Sequence, residues 1–131
     1  MTDKTPSEAG EAGRKIIREL MGEGFMQRRD EKRNSFNSVV QEYSDEVCFG
    51  RVWAREGLDR KMRSVINIAM LVALNRPGPL RTHVEGALNN GCSVEELQEI
   101  LLQTAVYCGL PAAVEAFRVA EDVLKSRNQL V

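Results

Sequence analysis

Helical spacing of apolar residues is the feature that most limits what this chain can fold into. Within residues 35–48 the apolar side chains stand three or four positions apart, as Phe36, Val39, Val40, Tyr43 and Val47. Later segments repeat this spacing, and no stretch shows the sustained apolar and polar alternation of a half-buried β-strand. The pattern therefore predicts an all-α fold with about six helices joined by short loops.

Proline, glycine and capping residues mark the boundaries of the later helices. The run Val65 to Leu74 is apolar nearly all round, so we expect it to form a buried central helix. Pro77, Gly78 and Pro79 end that helix because neither residue type continues one well. A serine at 93 and a glutamate at 96 form a capping box for the helix that closes at Gly109.

The N-terminal half has a weaker helical pattern. A short amphipathic helix is predicted within residues 11–22, and the charged stretch 22–34 is interpreted as an exposed loop or arm. Residues 49–58 are interpreted as a short turn that carries Trp53. Residues 1–10 are small and polar and are expected to be disordered, which leaves one predicted domain over residues 11–131.

Composition and charge narrow the function classes. The net charge of -1 gives no general attraction to nucleic acid or to a membrane surface. The longest apolar run is shorter than the roughly 20 residues that span a bilayer. Residues 51–83, however, carry seven basic side chains against two acidic ones, which favours a local site for an anion. Each of these arginines can also be an ordinary exposed charge.

His83 is the single histidine of the chain, and its role stays open on the residues alone. It shares a predicted helix face with Leu80, Val84, Ala87 and Leu88, so it can be a hydrogen-bonded core residue or a group that transfers a proton. The three cysteines, Cys48, Cys92 and Cys108, form no CxxC pair and no zinc pattern. They favour a reducing, cytoplasmic setting, and no bound metal is expected.

Residues 53–124 resemble the carboxymuconolactone decarboxylase family. The resemblance rests on three ordered motifs, which are WxRxGLDxxxRS from residue 53, LRxHxxxALNNG from residue 80, and EELxEILLQTAVYCGxPAA from residue 95. It implies the all-helical alkylhydroperoxidase D-like fold, assembled as a homotrimer or homohexamer. It also implies decarboxylation, without a cofactor, of γ-carboxymuconolactone or a related lactone acid in the breakdown of aromatic compounds.

The resemblance also implies roles for individual residues. His83 becomes the general acid/base, and arginine forks suit a substrate that carries two carboxylates. Arg63 and Arg81 are the candidate ligands of the carboxylates or of a carbonyl, with Arg55 behind them. Trp53 and Tyr107 are candidate walls of the pocket, although core packing explains them equally well.

Two other functions remain open. The peroxidase branch of the same superfamily places cysteines seven and four residues before its histidine, where this chain has Arg76 and Pro79. A thiol cycle needs two such thiols, so this reading is disfavoured. The third reading is an oligomer that binds small acids or is purely structural. It stays open because Val114-Glu115 replaces the Asn-His found in the decarboxylases, and because no histidine occurs near residue 30.

Overall fold

The all-α prediction is confirmed. The computed structural model describes residues 6–130, and within that range it contains α-helices, one π-helix and no strand. The chain divides into two compact units, at residues 1–58 and 59–131. The prediction of one domain over 11–131 stays a prediction. Residues 1–5 of the segment expected to be disordered lie outside the described residues.

The first unit contains three α-helices and the π-helix. They are α1 (Glu8–Met21), α2 (Glu23–Glu31), α3 (Ser38–Tyr43) and the π-helix (Ser44–Trp53). Ser7 caps α1 by accepting a hydrogen bond from the backbone N–H of Gly10, so the helix begins within the stretch expected to be disordered. Ile16, Leu20 and Trp53 form the core of this unit.

Two sequence interpretations in this unit are wrong. Residues 23–31, taken for a loop or arm, form α2, in which Met26 is buried and Phe25 is half-buried among charged residues. Residues 49–53, taken for part of a turn, complete the π-helix, which packs along α1. That close approach uses glycines: a Cβ on Gly13 would overlap the Asp45 carbonyl oxygen, and one on Gly50 would overlap that of Ala9.

The second unit is built from four helices around one core. They are α4 (Arg60–Ala73), α5 (Pro77–Asn89), α6 (Val94–Cys108) and α7 (Leu110–Ser126). Asp59 caps α4, and the predicted capping box of Ser93 and Glu96 opens α6. Ile68, Val84, Leu97, Leu101 and Val123 are almost completely buried between the helices.

The central helix α4 is not buried on all sides, contrary to the sequence prediction. Ser64, Ile68 and Val72 form its buried face, whereas Met62, Ile66 and Met70 are 38–49% exposed. Helical spacing shows which side chains of a helix are apolar, but it does not show which of them the rest of the unit covers. Within residues 6–130, no helix is both long enough and apolar enough to cross a membrane.

Candidate active site

His83 lies on α5 beside the buried face of that helix. Leu80, Val84 and Ala87 form that face and are inserted into the core of the second unit. His83 is half-buried at its edge and turns toward α4. Two features of the sequence account for the position of His83. Pro77 begins α5, and the apolar residues that follow at helical spacing turn one face of the helix toward the core.

Asn67 on α4 contacts the imidazole. Its side-chain nitrogen Nδ2 lies 3.4 Å from Nδ1 of His83, which is a long hydrogen bond. Arg63 precedes Asn67 by one turn of α4 and is half-buried, so it lies on the same side of that helix. The structure therefore brings His83 to the side of α4 that carries Arg63.

Sequence reasoning missed Asn67 as a site residue. The signal was present, since Asn67 is the polar residue that interrupts the apolar run from Val65 to Leu74. It also stands four positions after Arg63, which places the two side chains on one helix face. An interruption of this kind in a packed helix needs a polar partner, and here that partner is His83.

Burial controls the charge of His83. Removal of the ring from water lowers the pKa of His83 below its ordinary value of about 6.5, because desolvation disfavours the charged imidazolium. The ring is therefore neutral at pH 7 in this chain. A neutral imidazole has one ring nitrogen that donates a hydrogen bond and one that accepts, so it is ready to take up a proton.

Arg81 and Tyr107 lie elsewhere on the second unit. Arg81 stands two positions before His83, about 200° around α5, and its Nη2 pairs with Asp122 Oδ2 at 2.9 Å. Tyr107, near the end of α6, is 83% exposed. Within the described chain neither residue is brought to His83, and their roles as a substrate ligand and a pocket wall stay predictions.

Trp53 and Arg55 belong to the first unit. Trp53 is buried, packs with Ile16 and Leu20, and stacks on Phe49 with ring centroids 5.4 Å apart. It is a core residue of that unit, as its alternative interpretation proposed. Arg55 is exposed just after the π-helix. Their predicted roles at a substrate pocket stay predictions.

The cysteines give no support for a peroxidatic site. All three are free thiols, and Cys92 is buried. Burial raises the pKa of the Cys92 thiol, which is the opposite of what a reactive thiolate needs. Cys108 is exposed at the end of α6, and Cys48 is half-buried in the first unit. Within residues 6–130, no group of three or more His, Cys, Asp or Glu side chains could hold a metal ion.

The fold and this histidine together define the class: an all-helical protein with a half-buried acid–base group between two packed helices. The chain belongs to the carboxymuconolactone decarboxylase family, whose sequence model matches residues 39–122. The matched range includes α4, α5 and α6 in full, and with them His83, Asn67 and Arg63.

Two named enzymes are similar over most of the chain. A 4-carboxymuconolactone decarboxylase of Acinetobacter baylyi is 40% identical over 113 residues, which is 86% of this chain and 84% of that enzyme. A nitrosuccinic acid decarboxylase of Metarhizium robertsii is 33% identical over 112 residues, covering 86% of this chain and 78% of the enzyme. An uncharacterised 15.0 kDa protein of Paracoccus denitrificans is 34% identical over 87 residues, or 64% of each chain.

Proposed function

We propose that this chain is a decarboxylase that acts on γ-carboxymuconolactone or a closely related lactone acid in the breakdown of aromatic compounds. The observation that carries the proposal is the position of His83, half-buried and neutral, on the side of α4 that carries Arg63. The 40% identity to a 4-carboxymuconolactone decarboxylase over 86% of the chain supports the same reaction.

The substrates named for the two relatives share one chemical feature. In carboxymuconolactone a conjugated lactone carbonyl accepts electrons, and in nitrosuccinic acid a nitro group stands on the carbon that bears a carboxylate. In either molecule the bond from carbon to the carboxylate can break, with its electron pair moving onto the acceptor oxygens as carbon dioxide leaves. A proton then returns to carbon, so the reaction needs no oxidant or reductant.

That chemistry assigns tasks to the residues of this chain. A bound anion needs cations, and the guanidinium of Arg63 matches a carboxylate with two parallel hydrogen bonds. His83 delivers the proton to carbon as general acid. Arg81 can serve the substrate only by exchanging Asp122 for it, since both groups are exposed and such a surface pair is weak.

The substrate also changes the charge of His83. An anion placed beside a buried imidazole favours the imidazolium, which raises the pKa that burial had lowered. His83 is thus neutral in the free protein and becomes the proton donor when a carboxylate arrives. Substrate binding and proton uptake are coupled by this arrangement.

We further propose that the protein forms a homo-oligomer, a trimer or a hexamer. Large apolar side chains on the second unit are exposed in the single chain, far beyond the scattered apolar residues of a monomer surface. The most exposed of them are Leu74 at 64%, Val106 at 76%, Tyr107 at 83% and Leu110 at 66%. A second copy that covers this surface would also place Tyr107 where it can line a pocket shared between copies.

The decisive assay follows the ultraviolet absorbance of γ-carboxymuconolactone as the purified protein acts on it. We expect turnover by the natural chain and by a Thr82→Ala control on the same helix, and a loss on the order of 1,000-fold in His83→Ala. Circular dichroism confirms that each variant is folded. A panel of other lactone acids and nitro acids, assayed in the same way, defines the substrate class.

Three results of this assay would contradict the proposal. Turnover that survives in His83→Ala would remove the histidine from the mechanism. Reduction of a hydroperoxide that depends on Cys48, Cys92 or Cys108 would restore the peroxidase reading. Thermal stabilisation by these acids without turnover would indicate a non-catalytic binding protein.

Self-association has its own test by light scattering after size exclusion. We expect Val106→Glu to release monomers because a charge cannot be buried there without a partner. Gln27→Glu adds the same charge to the polar helix α2 and should leave the assembly intact. Monomeric behaviour of the natural chain would refute the oligomer proposal.

A further inference from the structure

The contact between Asn67 and His83 carries an inference beyond the general acid role. We propose that Asn67 is the positioning residue of His83: it contacts Nδ1 in both protonation states of the ring and leaves Nε2–H as the group that donates to the substrate. The ring gains its second proton at Nδ1, and after Nε2 gives its proton to carbon the neutral ring keeps the proton on Nδ1, which donates to the amide oxygen. Asn67 does this from α4 across the packed pair of α4 and α5, with Nδ2 lying 3.4 Å from Nδ1. The role of this contact in proton transfer rests on the proposed function, whereas the contact itself does not.

An asparagine is suited to this task because its amide offers both a donor and an acceptor. When His83 is neutral, the amide nitrogen can donate to an unprotonated Nδ1, which leaves the ring proton on Nε2. When His83 is charged, Nδ1 carries a proton, and rotation of the amide presents its oxygen as the acceptor. The ring therefore keeps one orientation while its charge changes.

The alternative partners of His83 would not behave in this way. A carboxylate at position 67 would favour the imidazolium permanently and would repel an anionic substrate. An aliphatic residue would leave Nδ1 of a half-buried ring without this hydrogen bond, so that either nitrogen could carry the proton. Asn67 avoids both results, at the cost of a polar side chain in an apolar helix.

Several charged residues near His83 and Asn67 in the sequence form ion pairs. Arg81 and Glu85 flank His83 on α5 and pair with Asp122 and Arg127, and Lys61, which precedes Arg63 and Asn67 on α4, pairs with Glu96. No carboxylate contributes to the lowered pKa of His83, for which burial is the cause. The amide of Asn67 is thus a neutral group that contacts the ring from α4.

A nuclear magnetic resonance titration tests the proposal without substrate. His83 is the single histidine of the chain, so in protein without a histidine tag the imidazole nitrogen signals need no assignment. In the natural chain we expect the neutral ring to carry its proton mainly on Nε2. Asn67→Leu should mix the two tautomers, and Asn67→Asp should move the proton to Nδ1 and raise the His83 pKa by about one pH unit or more.

A matched control separates positioning from simple loss of packing. Asn90→Ala removes another side-chain hydrogen bond to α4, in which Asn90 Nδ2, just after α5, donates to Ser64 Oγ at 3.2 Å. It should leave the tautomer and the pKa of His83 unchanged. Asn67→Gln, which keeps the amide, should restore the Nε2 tautomer at least in part, and it serves as the readout if Asn67→Leu does not fold.

Kinetics give the second readout. Asn67→Leu should lower kcat on the order of 100-fold with little change in KM, because the amide orients the ring and does not bind substrate. Asn67→Asp should move the pH profile upward. Unchanged tautomers in both Asn67→Leu and Asn67→Asp would overturn the positioning role, and so would an unchanged kcat in an active Asn67→Leu enzyme. If the Asn67 variants change the tautomer as expected but the natural chain turns over no substrate, only the proposed function is refuted.

Discussion

A methyl group added at Gly13 tests the tightest contact in the structure. The Cβ of Gly13→Ala would overlap the Asp45 carbonyl oxygen and would lie 2.7 Å from the carbonyl carbon and 2.9 Å from the backbone nitrogen of Gly50. Ordinary contacts of this kind are about 3.5–4.0 Å, so relief of the overlap with the carbonyl oxygen requires α1 and the π-helix to separate by about 1.5 Å or more. The obstacle is backbone on both sides, which cannot rotate away as a side chain can.

The expected cost follows from opposing terms. Overpacking of this kind costs about 1–3 kcal/mol and more where backbone must move, and the separation also loosens the core of Ile16, Leu20 and Trp53. Alanine regains about 1 kcal/mol over glycine in a helix. We therefore expect Gly13→Ala to lower the free energy of unfolding by about 2–3 kcal/mol, and the melting temperature by roughly 10 °C.

The fluorescence of Trp53, the single tryptophan, reports this unit directly during urea unfolding. Gly24→Ala is the matched control, because its new Cβ would meet only the end of the Arg28 side chain, at 3.3 Å. That control should be neutral or slightly stabilising. Protein concentration is held constant, since an oligomer adds to apparent stability. Equal stability of the two variants would refute the close crossing of α1 and the π-helix.

Three further predictions concern buried charge and pH. Asp45→Ala should cost about 3 kcal/mol in unfolding free energy, because it strands Arg29, whose Nη2 lies 2.6 Å from Asp45 Oδ1. Glu42→Ala, which breaks a more exposed pair, should cost less than about 1 kcal/mol, and equal losses would contradict the argument. Burial lowers the pKa of His83 in the folded state below its value in the unfolded chain, so the neutral ring stabilises the fold fully above about pH 6.5. This stabilisation is lost as the pH falls through the pKa of the folded state. Urea midpoints of the natural chain should therefore fall between pH 7.5 and 5.5 more than those of His83→Gln, and parallel curves would exclude the shift. Calorimetry in buffers of different ionisation enthalpy should detect proton uptake when a lactone acid binds at pH 7, and none with His83→Gln.

The sequence predicted the second unit well because its boundary signals are strong. Each of these signals acts within a few residues: the capping box of Ser93 and Glu96 opens α6, and Gly109 caps its end. Pro77 begins α5, whereas α4 already ends at Ala73. The buried residues at 80, 84, 87 and 88 follow the predicted face of α5. Local sequence signals are sufficient to predict a helix and its buried face where the helix packs against the core of its own unit.

The first unit was predicted less well because its helices depend on distant contacts. Charged residues dominate α2, which is held by the buried Met26 and by the ion pairs Arg29–Asp45 and Arg14–Asp30. The π-helix depends on a glycine from each of two segments, Gly13 and Gly50, meeting across a helix crossing. Neither arrangement produces a periodic pattern of apolar residues. The charged segment that forms α2 was therefore predicted to be a loop, and the end of the π-helix was predicted to be a turn.

The site was only partly predictable for a similar reason. Motifs identified His83, but only packing shows which neighbour its ring contacts, and that neighbour is Asn67. Charge counting grouped Arg81 with Arg63, although helix geometry turns Arg81 away and Asp122 holds it. A count of basic residues along the chain does not distinguish a guanidinium beside the histidine from one in a surface ion pair.

The neutral partner of His83 explains how one histidine can serve a substrate with two negative charges. If the partner were a carboxylate, the imidazole would be charged before substrate arrived, and the added negative charge would oppose substrate binding. With Asn67 in that place and the ring half-buried, His83 stays neutral until the substrate itself stabilises the imidazolium. Because His83 acts in its protonated form, the alkaline limb of kcat/KM reports its pKa in the free protein, whereas the alkaline limb of kcat reports its pKa in the complex. The pKa seen in kcat must therefore be the higher of the two, because the proton that the reaction delivers to carbon is held in place by the substrate's own charge.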